Sequence, residues 1–160
     1  VLENMMFSGS NLKNDSLFSS LIQLPTQKKH ENLLREKAFE IMQDLNIDHM
    51  ADSYARELSG GQKKLLELGR SIINEPEILL LDEPLAGVNP KLAEEILSII
   101  QKLSDQGISI IMVEHNIEAV MKISKRVIVL AEGSVIADGN PEEVRKNPKV
   151  IEAYLGAGNE

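Results

Sequence analysis

The feature that most constrains the fold is a short apolar run ending in two carboxylates, Ile78–Pro84 (ILLLDEP). Four consecutive aliphatic residues are typical of a strand buried in a parallel sheet, because both faces of such a strand meet apolar neighbours. Ligands of open α/β sheets bind beyond the carboxyl ends of the strands, where this sequence has Asp82 and Glu83. The run therefore predicts an α/β domain with a ligand site at this sheet edge. The alternative is an ordinary polar turn, since Asp-Glu-Pro is common turn chemistry.

A second feature lies upstream, the segment Leu58–Gln62 (LSGGQ). Ser59 is a good helix cap, and Gln62 three residues later completes a capping box. The adjacent Gly60 and Gly61 cost roughly 0.5–1 kcal/mol each relative to alanine, a cost that suits backbone approaching a ligand closely. Because the amino end of a helix presents bare N–H groups to anions, the segment predicts a phosphate site. A capping box without a ligand is the alternative.

After Pro76 the pattern alternates between strand and helix, as in a layered α/β domain. His115 follows the predicted strand 108–113 and is expected at the same sheet edge as Asp82. A helical part before Asn74 precedes a βαβαββα part, so we predict a helical subdomain at 1–74 and half of a nucleotide-hydrolysis core at 75–160. The predicted elements are helices at 1–7, 31–46, 60–74, 90–106, 116–124, 141–146 and 148–154, strands at 78–81, 108–113, 126–131 and 134–137, and a loop at 8–26. Asn89-Pro90 predicts the cap and start of the helix at 90–106, whose buried stripe includes Leu92. Glu132-Gly133 predicts a hairpin between the last two strands.

Composition excludes several classes of protein. The net charge of −8 argues against a nucleic-acid partner, since phosphate backbones require clustered cations, and Lys28-Lys29-His30 is interpreted as a solvated loop. The chain has no cysteine, so disulfides and cysteine-ligated zinc are excluded. No apolar run approaches the roughly 20 residues that a membrane-spanning helix needs.

Taken together, Leu58–Gln62, Ile78–Pro84 and His115 match in order and spacing the ATPase subunits of ABC transporters, and the chain resembles that family. The resemblance implies an α/β P-loop NTPase fold with a mostly parallel sheet, and ATP and Mg²⁺ as cofactors. It implies that Asp82 binds Mg²⁺ as the Walker B aspartate, that Glu83 is the catalytic base and that His115 is the switch histidine. The signature residues Leu58, Ser59, Gly60, Gly61 and Gln62 would contact the γ-phosphate of ATP held by the opposite subunit.

The resemblance also implies partners and a location. Two ATPase subunits form a head-to-tail dimer, and the helical subdomain contacts integral-membrane permease subunits at the cytoplasmic face of the membrane. Residues 85–89 occupy the D-loop position, where the family usually has aspartate and this chain has Asn89.

A finer resemblance points to the ATPases of branched-chain amino-acid importers. It rests on 84–90 (PLAGVNP), on Glu114-His115-Asn116 with 120–124, and on 147–156 (NPKVIEAYLG). Urea importers and lipopolysaccharide exporters share parts of this pattern. Further alternatives are a soluble ABC-type ATPase of translation or DNA repair, and a non-catalytic module that supplies its signature to another subunit. Glu83 and His115 weigh against the latter, because a binding module does not need them.

A phosphate-binding loop would read Gly-x-x-x-x-Gly-Lys-Ser/Thr. None of the ten glycines is followed by lysine, and the family's glutamine loop is also missing, since Gln23 and Gln27 do not fit its position. We therefore expect an amino-terminally truncated ATPase whose sheet exposes apolar faces. Without the loop's lysine and amides, we expect this chain alone not to hydrolyse ATP.

Overall fold

The computed structural model describes residues 1–10 and 25–155. The chain splits into two compact units, Val1–Met112 and Val113–Glu160. The described helices are α1 (Leu2–Gly9), α2 (Pro25–Asp44), α3 (Gly60–Ile72), α4 (Pro90–Asp105), α5 (Ile117–Ile123), α6 (Pro141–Arg145) and α7 (Pro148–Val150). The described strands are β1 (Ile78–Asp82), β2 (Ser109–Val113), β3 (Val127–Ala131) and β4 (Ser134–Gly139). Two 3₁₀ turns, Asp48–Met50 and Ala55–Glu57, and a π-helical turn, Ile151–Leu155, complete the described elements.

In the first unit, helices α1, α2 and α3 pack against one another. Met5, Met42 and Leu45 are at most 2% exposed and form part of the shared core. Gly69 lets α3 approach closely, because a Cβ at this position would lie 2.3 Å from Met5 Cε and 2.8 Å from Leu45 Cδ1. The helical character predicted for this part of the chain is therefore confirmed.

Helix α2 is longer than the sequence pattern predicts. It begins at Pro25, whereas apolar spacing predicts a start near Glu31, and the interpretation of Lys28-Lys29-His30 as a loop is wrong. These three residues are exposed, as expected, but they are helical. Apolar spacing misses this part of the helix because residues 28–30 are exposed and carry no apolar stripe, and the good helix propensity of lysine is sufficient there.

Strands β1 and β2 form a parallel pair connected by α4, and Ser109 N–H donates to Glu77 C=O at 2.9 Å next to this ladder. One face of the pair is open. Ile78 and Leu80 on β1 are 60% and 71% exposed, and Ile111 on β2 is 59% exposed, whereas Leu79 is buried. The predicted exposure of apolar sheet surface is thus confirmed, and the full burial typical of such a run is limited to Leu79.

In the second unit, β3 and β4 form the predicted antiparallel hairpin. Its turn is Glu132-Gly133, with φ of 49° and 74°, as a two-residue turn with two left-handed positions requires. The hairpin packs its inner face on a core that includes Val144 and Val150. On the outer surface, hydrogen bonds from Arg126 lower the pKa of Asp138.

The other predicted elements agree with the structure within a few residues, apart from two regions. Most of the loop predicted for 8–26 lies in 11–24, outside the described residues, and the prediction is wrong at 8–9 and 25–26, which are helical. The predicted subdomain boundary near Asn74 lies inside the first unit and stays a prediction. No described helix combines the length and apolarity that crossing a membrane requires.

Candidate functional site

The amino end of α3 is fixed by hydrogen bonds between residues only three apart. Ser59 Oγ accepts from the Gln62 N–H at 3.3 Å, and Gln62 Oε1 accepts from the Ser59 N–H at 2.9 Å. This is the predicted capping box, and the buried Leu58 anchors the segment just before it. The first amides of a helix have no intrahelical acceptor, so those of Gly60 and Gly61 remain available at the helix end.

The two glycines occupy different surroundings. A Cβ built on Gly60 meets no atom within 4 Å, and the residue is exposed. A Cβ on Gly61 would lie 2.3 Å from Leu92 Cδ2, so Gly61 permits close contact with the first turn of α4. The open Gly60 suits close approach by a ligand, and the covered Gly61 suits packing.

Asp82 and Glu83 lie at the carboxyl end of β1, as predicted, and both are exposed. Glu83 has a φ of 45°, a left-handed conformation that costs a non-glycine residue roughly 1–2 kcal/mol. Its main-chain carbonyl accepts from the Ala86 N–H at 3.1 Å and from Lys64 Nζ at 3.4 Å. Such a conformation occurs at functional sites and also in turns, as at Glu132 with its φ of 49°.

The segment after Glu83 turns back into α4. Gly87 takes a φ of 72°, and Asn89 Oδ1 accepts from the Leu92 N–H at 3.0 Å, which caps the helix. Asn89 was predicted both as this cap and, from the resemblance, as the D-loop position. The cap is confirmed, and the D-loop role stays a prediction. Pro90 follows at the first helical position, where its missing N–H costs nothing.

The α3 end and this turn line one cavity of about 400 Å³ within the first unit. The signature side contributes Ser59, Gly61 and Gln62, and the turn contributes Gly87, Val88 and Asn89. Lys91 and Glu95, one turn apart on α4, also line the cavity and bring a cation and a carboxylate to its wall. The signature and D-loop positions, which lie about thirty residues apart in the chain, therefore share one concave surface.

His115 belongs to the second unit. It lies between β2 and α5, is exposed, and precedes Asn116, whose Oδ1 accepts from the Ala119 N–H at 3.1 Å and caps α5. Its position just after a strand agrees with the sequence interpretation. Its predicted catalytic role stays a prediction.

The described residues suit Mg²⁺ only if a nucleotide supplies part of its coordination shell. In the described part of the chain, no group of three or more histidine, aspartate or glutamate side chains is arranged to hold a metal ion. Mg²⁺ commonly binds through one or two carboxylates and completes its shell with waters and substrate phosphates. The exposed Asp82 fits that pattern, in which the ion arrives with its nucleotide.

Sequence reasoning did not identify two residues that the geometry brings to the site. Lys64 contacts Glu83 from α3, and Leu92 contacts Gly61 from α4. The lysine pair Lys63-Lys64 directly after the LSGGQ segment was a visible signal, but no local pattern indicates which of the two faces β1. Leu92 was assigned to the buried stripe of α4, and its neighbour across the interface was not predictable.

Comparison with known families decides the relationship. Residues 7–86 match the family model described as "ABC transporter", which is half of the chain. The chain belongs to the ABC transporter family. Residues 134–159 also match the model described as "Branched-chain amino acid ATP-binding cassette transporter", which agrees with the finer resemblance.

Individual relatives of this ABC chain agree. It is 46% identical over 129 residues to the "Probable branched-chain amino acid transport ATP-binding protein LivG" of Archaeoglobus fulgidus, covering 81% of this chain and 50% of the relative. It is 39% identical to the protein of the same description from Methanocaldococcus jannaschii, covering 98% and 62%. A solved ATP-binding cassette of an ABC transporter in its ADP conformation has a TM-score of 0.75 and 36% identity, covering 97% and 62%. The chain thus spans about half to three fifths of the length of these relatives.

Proposed function

We propose that this chain supplies the signature and catalytic segments of the ATP-hydrolysing subunit of an ABC importer. The observation that carries the proposal is the convergence of Ser59, Gly61 and Gln62 with 87–89 on one cavity, beside the strained Glu83. The cavity suits a surface that closes over the terminal phosphate of a partner's nucleotide, and Glu83 suits catalysis at the nucleotide that this subunit holds itself. ATP would bring the cleavable phosphoanhydride, and Mg²⁺ would neutralise developing charge on its oxygens.

Each site residue has a role suited to its chemistry. Asp82 holds Mg²⁺, since it is an exposed carboxylate at a strand end. Glu83 accepts the proton of the attacking water, and His115 assists at the same phosphate. The free amides of Gly60 and Gly61, with the Ser59 hydroxyl, hold the γ-phosphate of a nucleotide bound by the partner ATPase subunit. Head-to-tail pairing of two such subunits completes two sites.

The cargo we propose is branched-chain amino acids. The match at 134–159 and the descriptions of the archaeal relatives support this class over urea or lipopolysaccharide. The subunit would act at the cytoplasmic face of the membrane, attached to permease subunits through its helical part. The 160-residue chain alone would not hydrolyse ATP, since no glycine is followed by the lysine of a phosphate-binding loop.

The decisive experiment uses a full-length cassette, meaning a polypeptide of the relatives' length that contains these 160 residues. We expect Glu83→Gln to lower kcat for Mg-ATP by about 10²–10⁴-fold, the usual contribution of a general base. The variant should also accumulate as an ATP-bound dimer in size-exclusion chromatography. Glu77→Gln, at the opposite end of β1, is the matched control and should keep wild-type turnover. Undiminished turnover in Glu83→Gln would overturn the role of Glu83.

The importer assignment is tested separately. Purification with its permease subunits into vesicles should give ATP-dependent uptake of labelled leucine, isoleucine or valine. Uptake of urea instead, or the absence of any integral-membrane partner, would contradict the proposed cargo or the membrane role. Calorimetric titration of Mg-ATP into the 160-residue chain should show no binding, and micromolar binding would contradict our account of where ATP is held.

A further inference from the structure

Lys64 connects the signature helix to the catalytic glutamate. Its Nζ donates to the main-chain carbonyl of Glu83 at 3.4 Å, across nineteen residues of sequence. The lysine side chain is 30% exposed, and its other described contact is a 3.8 Å ion pair with Glu67 one turn along α3. Lys63, by contrast, is exposed. Of the two adjacent lysines, Lys64 is therefore the one that contacts Glu83.

The carbonyl that Lys64 contacts belongs to Glu83, whose backbone has an unfavourable conformation. The φ of 45° at Glu83 is unfavourable for a residue with a side chain and persists only where surrounding contacts fix it. The Ala86 N–H occupies one side of the carbonyl at 3.1 Å, and the ammonium of Lys64 provides a second, charge-assisted donor. A fixed carbonyl limits rotation about the Glu83 Cα–C bond and so restricts the directions in which the Glu83 side chain can point.

We propose that Lys64 is a positioning residue for Glu83, holding its backbone so that the carboxylate is oriented for proton transfer. This inference rests on the proposed function of Glu83. Lys64 lies two residues after Gln62 on the same helix. A nucleotide that displaces the signature end therefore moves the lysine, and the orientation of Glu83 changes with it. A nucleotide held by the partner and contacted by this signature would thereby affect the base that acts on the subunit's own nucleotide.

The test compares Lys64→Met, Lys64→Arg and the matched control Lys63→Met in the full-length cassette. Methionine keeps the length of the side chain and removes the charge. We expect Lys64→Met to lower kcat about tenfold with KM for Mg-ATP unchanged, because misplaced catalytic groups reduce turnover rather than binding. Lys64→Arg should recover most of the loss, and Lys63→Met should match the wild type. Equal kcat in the two methionine variants, or a change in KM alone, would overturn the proposal.

A second readout does not depend on catalysis. In the 160-residue chain, hydrogen exchange at the Ala86 amide should be faster in Lys64→Met than in Lys63→Met, since its acceptor carbonyl is less firmly held. Unchanged exchange would overturn the proposal. Faster exchange in Lys64→Met together with undiminished turnover in Glu83→Gln would show that the contact exists but that Glu83 is not the base, which would refute the proposed function and the catalytic role of Lys64 with it.

Discussion

The two ends of the candidate site, the amino end of α3 and the carboxyl end of β1, are stabilised by different kinds of interaction. The amino end of α3 is set by a capping box between Ser59 and Gln62, three residues apart. At the carboxyl end of β1, Glu83 has a left-handed conformation, and its carbonyl accepts from Lys64, nineteen residues away in the sequence. The first end is encoded locally and the second depends on packing. A local signal is therefore a safe guide to the capped end of α3, and a poor guide to the backbone geometry at Glu83.

Gly61 lies at the amino end of α3 and packs against Leu92 of α4. Substitution of Gly61 is expected to have the largest effect on stability. We expect Gly61→Ala to lower the free energy of unfolding by about 1–3 kcal/mol relative to Gly60→Ala, because the new methyl overlaps Leu92 Cδ2. Denaturant unfolding of the chain measures the difference. In a Leu92→Ala background the difference should largely disappear. If it persists, the glycine acts through its backbone and not through packing.

Ser59 tests the local end. Ser59→Ala should lower the free energy of unfolding by about 1 kcal/mol, the usual cost of losing a helix cap, since the Gln62 N–H loses its acceptor. Ser59→Asn keeps a capping oxygen and serves as the control with near wild-type stability. The same denaturant experiment measures both variants. A loss shared equally by alanine and asparagine would show that the serine matters for something other than capping.

A substitution at Glu83 tests the carboxyl end of β1. Its expected effect on the free energy of unfolding is the smallest of the three and has the opposite sign. Glu83→Gly should raise the free energy of unfolding by about 0.5–1 kcal/mol, because glycine adopts a φ of 45° without the steric cost. Glu77→Gly, just before the same strand at a residue without a positive φ, should instead destabilise the chain. Destabilisation by Glu83→Gly would mean that its backbone is not strained, and the contrast between the two ends would fail.

Several particulars of the fold were accessible from the sequence because short-range forces decide them. Ser59-x-x-Gln62 predicted the start of α3, Asn89-Pro90 the start of α4, and Glu132-Gly133 the hairpin turn. The early start of α2 was missed, because its first turns carry no apolar stripe to indicate a helix. Spacing predicted where β1 lies but not which of its faces is covered.

The sequence by itself determined the family, the helix caps, the strand that delivers Asp82 and Glu83, and the absence of a phosphate-binding loop. These depend on residue types at fixed, short spacings, which backbone geometry translates directly into structure. Only the tertiary structure decided that Gly60 is open while Gly61 lies against Leu92, and that Lys64 contacts Glu83. Such contacts join residues 19 and 31 positions apart, and their geometry depends on how α3, β1 and α4 pack together.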